Sequence, residues 1–78
     1  MANGVLSIWT IYDQPRDVPG QYVARRWEVV PHERDPVATE DTIQSSDLDM
    51  VRRSLQLRGL TCLARSPKDD PAILESWL

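Results

Sequence analysis

Two runs rich in β-branched and aromatic residues, VLSIWTIY at 5–12 and QYVARRWEVV at 21–30, are separated only by DQPRDVPG. No other feature of the chain constrains its fold as strongly. Pro19 presets φ for the first central position of a type II turn, and Gly20 accepts the positive φ of the second. The chain therefore turns back, and the two runs are expected to pair as a wide antiparallel hairpin.

Downstream, PHERDPVA is a polar connection, and TEDTIQ at 39–44 is compatible with a short edge strand. The clearest helix is SDLDMVRRSLQLRGL at 46–60. Ser46 can cap it, Asp47 and Asp49 suit the positive N-terminal end, and Leu48, Val51 and Leu55 form one apolar stripe. Gly59 in the left-handed conformation, with Leu60 folding back on Leu55, makes a Schellman stop. LTCLAR then reads as a strand, with Leu60, Cys62 and Ala64 on one side. SPKDDP turns the chain again.

The terminal AILESWL is open to two readings. Asp70 followed by Pro71 suits a helix start, whereas the alternation of Leu74, Ser76 and Leu78 with Ile73, Glu75 and Trp77 suits a strand. The strand is preferred, because a short loop after a strand commonly makes a hairpin. The expected architecture is a single α+β domain over residues 1–78: a small antiparallel sheet with one main helix packed on one face, in the order ββ(β)αββ.

With Cys62 and His32 the lone residues of their kinds, no intramolecular disulfide and no Cys/His zinc cluster can form. Stability must come from one modest core or from self-association. The first residues, MANGVLSIWTIYD, lack a basic segment, and their apolar run is broken by Ser7, Thr10 and Asp13. They read as neither signal peptide nor membrane span, so a reduced cytoplasmic setting without a membrane partner is expected. The net charge of −3 opposes the attraction to phosphate on which nucleic-acid binders rely. Residues 42–66 nevertheless carry four arginines against two acids, leaving room for a local basic surface.

The pieces Trp9 to Asp13, Val23 to Arg26 and Asp69 to Leu78 resemble a group of small bacterial proteins seen in phage and prophage neighbourhoods, for which no activity is established. They show a Trp-Thr-x-Tyr-Asp start, a Val-Ala-Arg-Arg strand, and an Asp-Asp-Pro followed by an alternating Trp-Leu ending. The resemblance implies one intact short domain and transfers no catalytic residue.

The residues themselves assemble no catalytic, cofactor or metal site, and the chain reads as a non-enzyme. His32 sits in a polar loop with no nucleophile beside it. Cys62, alternating with Leu60 and Ala64, reads as a small core side chain. Asp69 and Asp70, between Pro67 and Pro71, suit a turn better than acid-base work. On the helix, Arg52 and Arg53 can each pair with Asp49. Together with Arg58 and Arg65 they form the candidate set for an alternative function, nucleic-acid-binding regulation.

Arg25 and Arg26 are strand neighbours and so point to opposite faces. Burying the larger apolar set would send Val23, Trp27 and Val29 towards the helix, joined by Trp9 and Ile11, with Arg25 at the rim seeking a carboxylate such as Glu75. Leu6, Ile8 and Tyr12 would then lie beside Tyr22, Ala24 and Val30 on an uncovered face rimmed by Arg26 and Glu28. An apolar patch of this kind points to a homodimer or protein partner, with Ile8, Tyr12, Tyr22 and Arg26 as the candidate binding residues.

Overall fold

The computed structural model describes residues 5–63 and 73–78. The elements run β1 (Leu6–Asp13), β2 (Tyr22–Val29), β3 (Val37–Ser45), α1 (Leu48–Leu57), β4 (Cys62–Leu63) and β5 (Ile73–Trp77). This is the expected α+β order, with the terminal segment a strand. The turn expected at Asp69 and Asp70, with Ala64 and Arg65 before it, lies outside the described residues. The strands form one antiparallel sheet in the order β3-β2-β1-β5-β4. The chain's last strand thus inserts beside its first, and β1 becomes central.

Local chemistry explains the punctuation. Gly20 has φ +79° at the end of the β1–β2 loop, and Gly59 has φ +80° just past α1. The Schellman stop is in place: the Leu60 amide donates to Leu55 O at 3.3 Å and the Gly59 amide to Gln56 O at 2.9 Å. The N-cap is Asp47 rather than Ser46, its Oδ1 accepting from the Asp49 amide at 3.0 Å. Ser45 is drawn in one step earlier, its Oγ accepting from the Asp47 amide at 3.0 Å. β3 is longer than expected, an edge strand with a bulge opposite Arg25–Trp27.

Antiparallel partners share a face, so register decides what the helix covers. Trp9 stands opposite Arg26 and Trp77, and Ile11 opposite Ala24 and Glu75. The core is accordingly Trp9, Ile11, Ala24 and Trp77 closed by Val51 and Leu55, with Tyr22, Ile43, Leu48, Leu60 and Leu74 packed around it. Trp9 and Ile11 face the helix as expected. Val23 and Trp27 do not: they lie opposite Tyr12 and Ile8 on the other face. Counting apolar bulk along β2 alone points to the wrong side, because the hairpin register couples its even residues to Trp9 and Ile11. Ala24 is fully buried, and its small side chain leaves room for Val51 and Leu55.

Candidate functional site: the open face of the sheet

The face turned away from α1 carries Ile8, Thr10 and Tyr12 of β1 beside Trp27, Arg25 and Val23 of β2. Ile73 of β5 stands opposite Tyr12. A groove of about 390 Å³ crosses this face, lined by Ile8, Thr10, Tyr12, Trp27 and Ile73, with Asp35 and Pro36 of the β2–β3 loop as one wall. The loop turns where the Glu33 amide donates to Val30 O at 3.0 Å.

One polar pairing in the floor is internal. Trp27 Nε1 donates to Thr10 Oγ1 at 2.9 Å, a pairing across neighbouring strands that orients the indole on the sheet. Arg25, next to Thr10 in the same transverse row, lies 4.0 Å from Asp17 of the β1–β2 loop, not near Glu75. What the groove offers is apolar surface, two aromatic side chains and one carboxylate.

Of the four residues expected to form a partner site, the structure brings Ile8 and Tyr12 together here. Tyr22 lies on the opposite face, packed against the core. Arg26 is also on the helix side, where its Nε donates to Asp41 Oδ2 at 2.7 Å and its Nη1 to Ser7 Oγ at 3.2 Å. Glu28 completes its neighbourhood at 3.3 Å. These carboxylates, Asp41 first, push the Arg26 pKa up. The guanidinium is a clamp joining β1, β2 and β3 and rims no patch. Thr10, Trp27, Asp35, Pro36 and Ile73 were missed by sequence reasoning. Trp27 was assigned to the wrong face, and nothing local in the sequence brings the 31–36 loop over it.

The helix face holds a second polar cluster. Glu75, 8% exposed, accepts from Arg52 Nε at 2.6 Å and from Cys62 Sγ at 2.7 Å. Cys62 is exposed at the sheet edge, not in the core, because β4 is two residues long and lies outermost. Although the residue is exposed, its Sγ turns in against Glu75, and the partial burial of the thiol there, then the carboxylate, pushes its pKa up to about 11. A thiol held protonated is a poor nucleophile.

The arginines of the nucleic-acid alternative do not converge as free charges. Arg52 is committed to Glu75, with Asp49 at 3.8 Å, and Arg58 stacks over the Trp9 ring at 5.1 Å. Arg53 is exposed and makes no ion pair with Asp49, and Arg65 lies outside the described residues. Among the described residues no group of three or more His, Cys, Asp or Glu could hold a metal ion, and no helix is long and apolar enough to cross a membrane.

No family model, curated protein or solved structure matches this chain. Its own geometry carries the functional reading.

Proposed function

We propose that the chain is a non-enzymatic protein-interaction module whose open sheet face receives a segment of a partner polypeptide. One observation carries this reading: the groove over Ile8, Tyr12, Trp27 and Ile73, on the face that the single helix leaves uncovered. Apolar concavities of this kind bind by excluding water, and tyrosine and tryptophan are preferred anchors at protein interfaces. A cytoplasmic accessory role of phage or prophage origin agrees with the resemblance of its strands. A different polypeptide is favoured over a second copy, because the chain carries a net charge of −3 and Asp35 at the groove wall has, among the described residues, no ion pair to soften a like-charged approach.

A photocrosslinking residue placed at Leu6, on the open face, and as a control at Leu57, on the outer side of the helix, tests this. The expected result is a crosslink to one polypeptide from Leu6 and not from Leu57, lost on Ile8→Ser with the melting temperature little changed. Crosslinks only between copies of the chain would make the face a homodimer interface. Equal labelling from both positions would overturn the proposal. Binding to nucleic acid through Arg53 and its neighbours would appear as a steep salt dependence in DNA and RNA titrations.

A further inference from the structure

We infer that the partner segment presents a cationic side chain flanked by apolar ones, with the cation seated between Asp35 and the aromatic side chains of Tyr12 and Trp27. The inference rests on the open-face reading above and names its partner class. Three observations support it.

The first is charge. Asp35 is the carboxylate among the groove-lining residues, and it has no ion-pair partner among the described residues. Asp41 and Glu28 are paired with Arg26, Glu75 with Arg52 and Asp17 with Arg25 at 4.0 Å, whereas Asp35, like Asp13, Glu33, Glu40 and Asp47, is in no ion pair among the described residues; what sets Asp35 apart is its place at the groove wall. An exposed carboxylate at the edge of an apolar groove attracts a cation and repels an acidic ligand.

The second concerns the aromatic surfaces. Tyr12 and Trp27 line the same groove as Asp35, and aromatic faces carry the negative end of the ring quadrupole. Among the described residues a cation stands over a ring at Arg58 on Trp9, on the opposite face. Among the described residues neither groove aromatic holds a cation.

The third is hydrogen-bonding capacity. The Trp27 indole N–H is already bound by Thr10. A partner's carboxylate would therefore find no indole donor, and the nearby guanidinium of Arg25 lies beside Asp17. The donors left to an anion in the groove are the hydroxyls of Thr10 and Tyr12, while Asp35 makes its wall negative and favours a cation. Flexible lysine stems bury their methylenes while their heads reach a carboxylate, which matches a groove of about 390 Å³ with its acid at the wall.

The test uses the full chain, isotopically labelled, with three probes followed by NMR. They are the blocked peptide acetyl-Leu-Lys-Leu-amide, the same peptide with neutral norleucine in place of lysine, and hexylammonium. The lysine peptide should shift the Trp27 indole resonance together with Ile8, Tyr12 and Ile73, and bind roughly tenfold tighter than the norleucine peptide at low salt. Asp35→Asn should reduce that ratio to within about twofold while leaving spectra of the helix face unchanged. Equal affinity for the two peptides would overturn the cation and leave the open-face reading standing. Hexylammonium binding as tightly as the lysine peptide would reassign the groove to free alkylamines and overturn the polypeptide occupant. No perturbation of the open face by either peptide would count against both this inference and the reading beneath it.

Discussion

On the helix side of the sheet, Trp9, Ile11, Ala24 and Trp77 close against Val51 and Leu55, whereas on the other side Ile8, Tyr12 and Trp27 line a groove walled by a loop. The same strands build both surfaces. Ten residues of helix cover only one of them, and the other is left to connections that contribute Asp17, Asp35 and Pro36. The two faces also solve their polar problems differently. On one side Arg26 ties the strands together through the exposed Asp41, and Arg52 ties the helix to β5 through the buried Glu75. On the other, Thr10 satisfies Trp27 and leaves the carboxylate of Asp35 to solvent. The helix face carries most of the buried core, while on the open face Val23 is buried and the groove stays exposed.

The widest gap between the faces should appear in core truncations. Leu55→Ala removes a fully buried side chain and is expected to cost about 3 kcal/mol, while Ile8→Ala on the open face should cost no more than about 1 kcal/mol. Chemical denaturation of the two variants measures this, and equal losses would mean that the open face is part of the core.

A smaller contrast separates the adjacent arginines. Arg26→Ala should lower the melting temperature, because it releases Asp41, Glu28 and Ser7 together, whereas Arg25→Ala breaks a single 4.0 Å pair with Asp17 and should stay within the scatter of surface substitutions. If Arg25→Ala were the more damaging change in thermal melts, the loop pairing on the open face would be structural and the division of labour between the faces would fail.

The smallest effect is a pH dependence confined to the helix-side cluster. The Cys62 thiol rises from 9.0 to about 11 in the fold, mainly through burial and then through Glu75. The folded state therefore holds the proton more tightly than the unfolded one. Its contribution is fully present below pH 9.0 and is lost as pH rises through about 11. In stability measurements across that window, Cys62→Ala should show a shallower decline than the wild type. Matching slopes would detach the thiol from Glu75.

The hairpin, the helix and its stop were legible in the sequence because each depends on dihedral preferences set within a few residues. Pro19-Gly20 turns the chain and Gly59 with Leu60 ends the helix, while its cap fell one residue later than Ser46, on Asp47. Even the opposition of Arg25 and Arg26 followed from the two-residue period of a strand. Which of them faces the helix did not, since both faces of β2 carry apolar residues and the choice rests on register with β1. That register pairs Trp9 with Arg26 and Ile8 with Trp27, and inverts the assignment made from β2 alone. Tertiary structure also decided that β5 inserts beside β1, carrying Glu75 to Arg52 and Cys62, and that the 31–36 loop walls the groove with Asp35. The physical reason is one of range. Turn and cap energies are local and differ sharply between residues, while the two ways of facing a doubly apolar strand differ by a small sum over distant contacts, which exists only once the sheet is assembled.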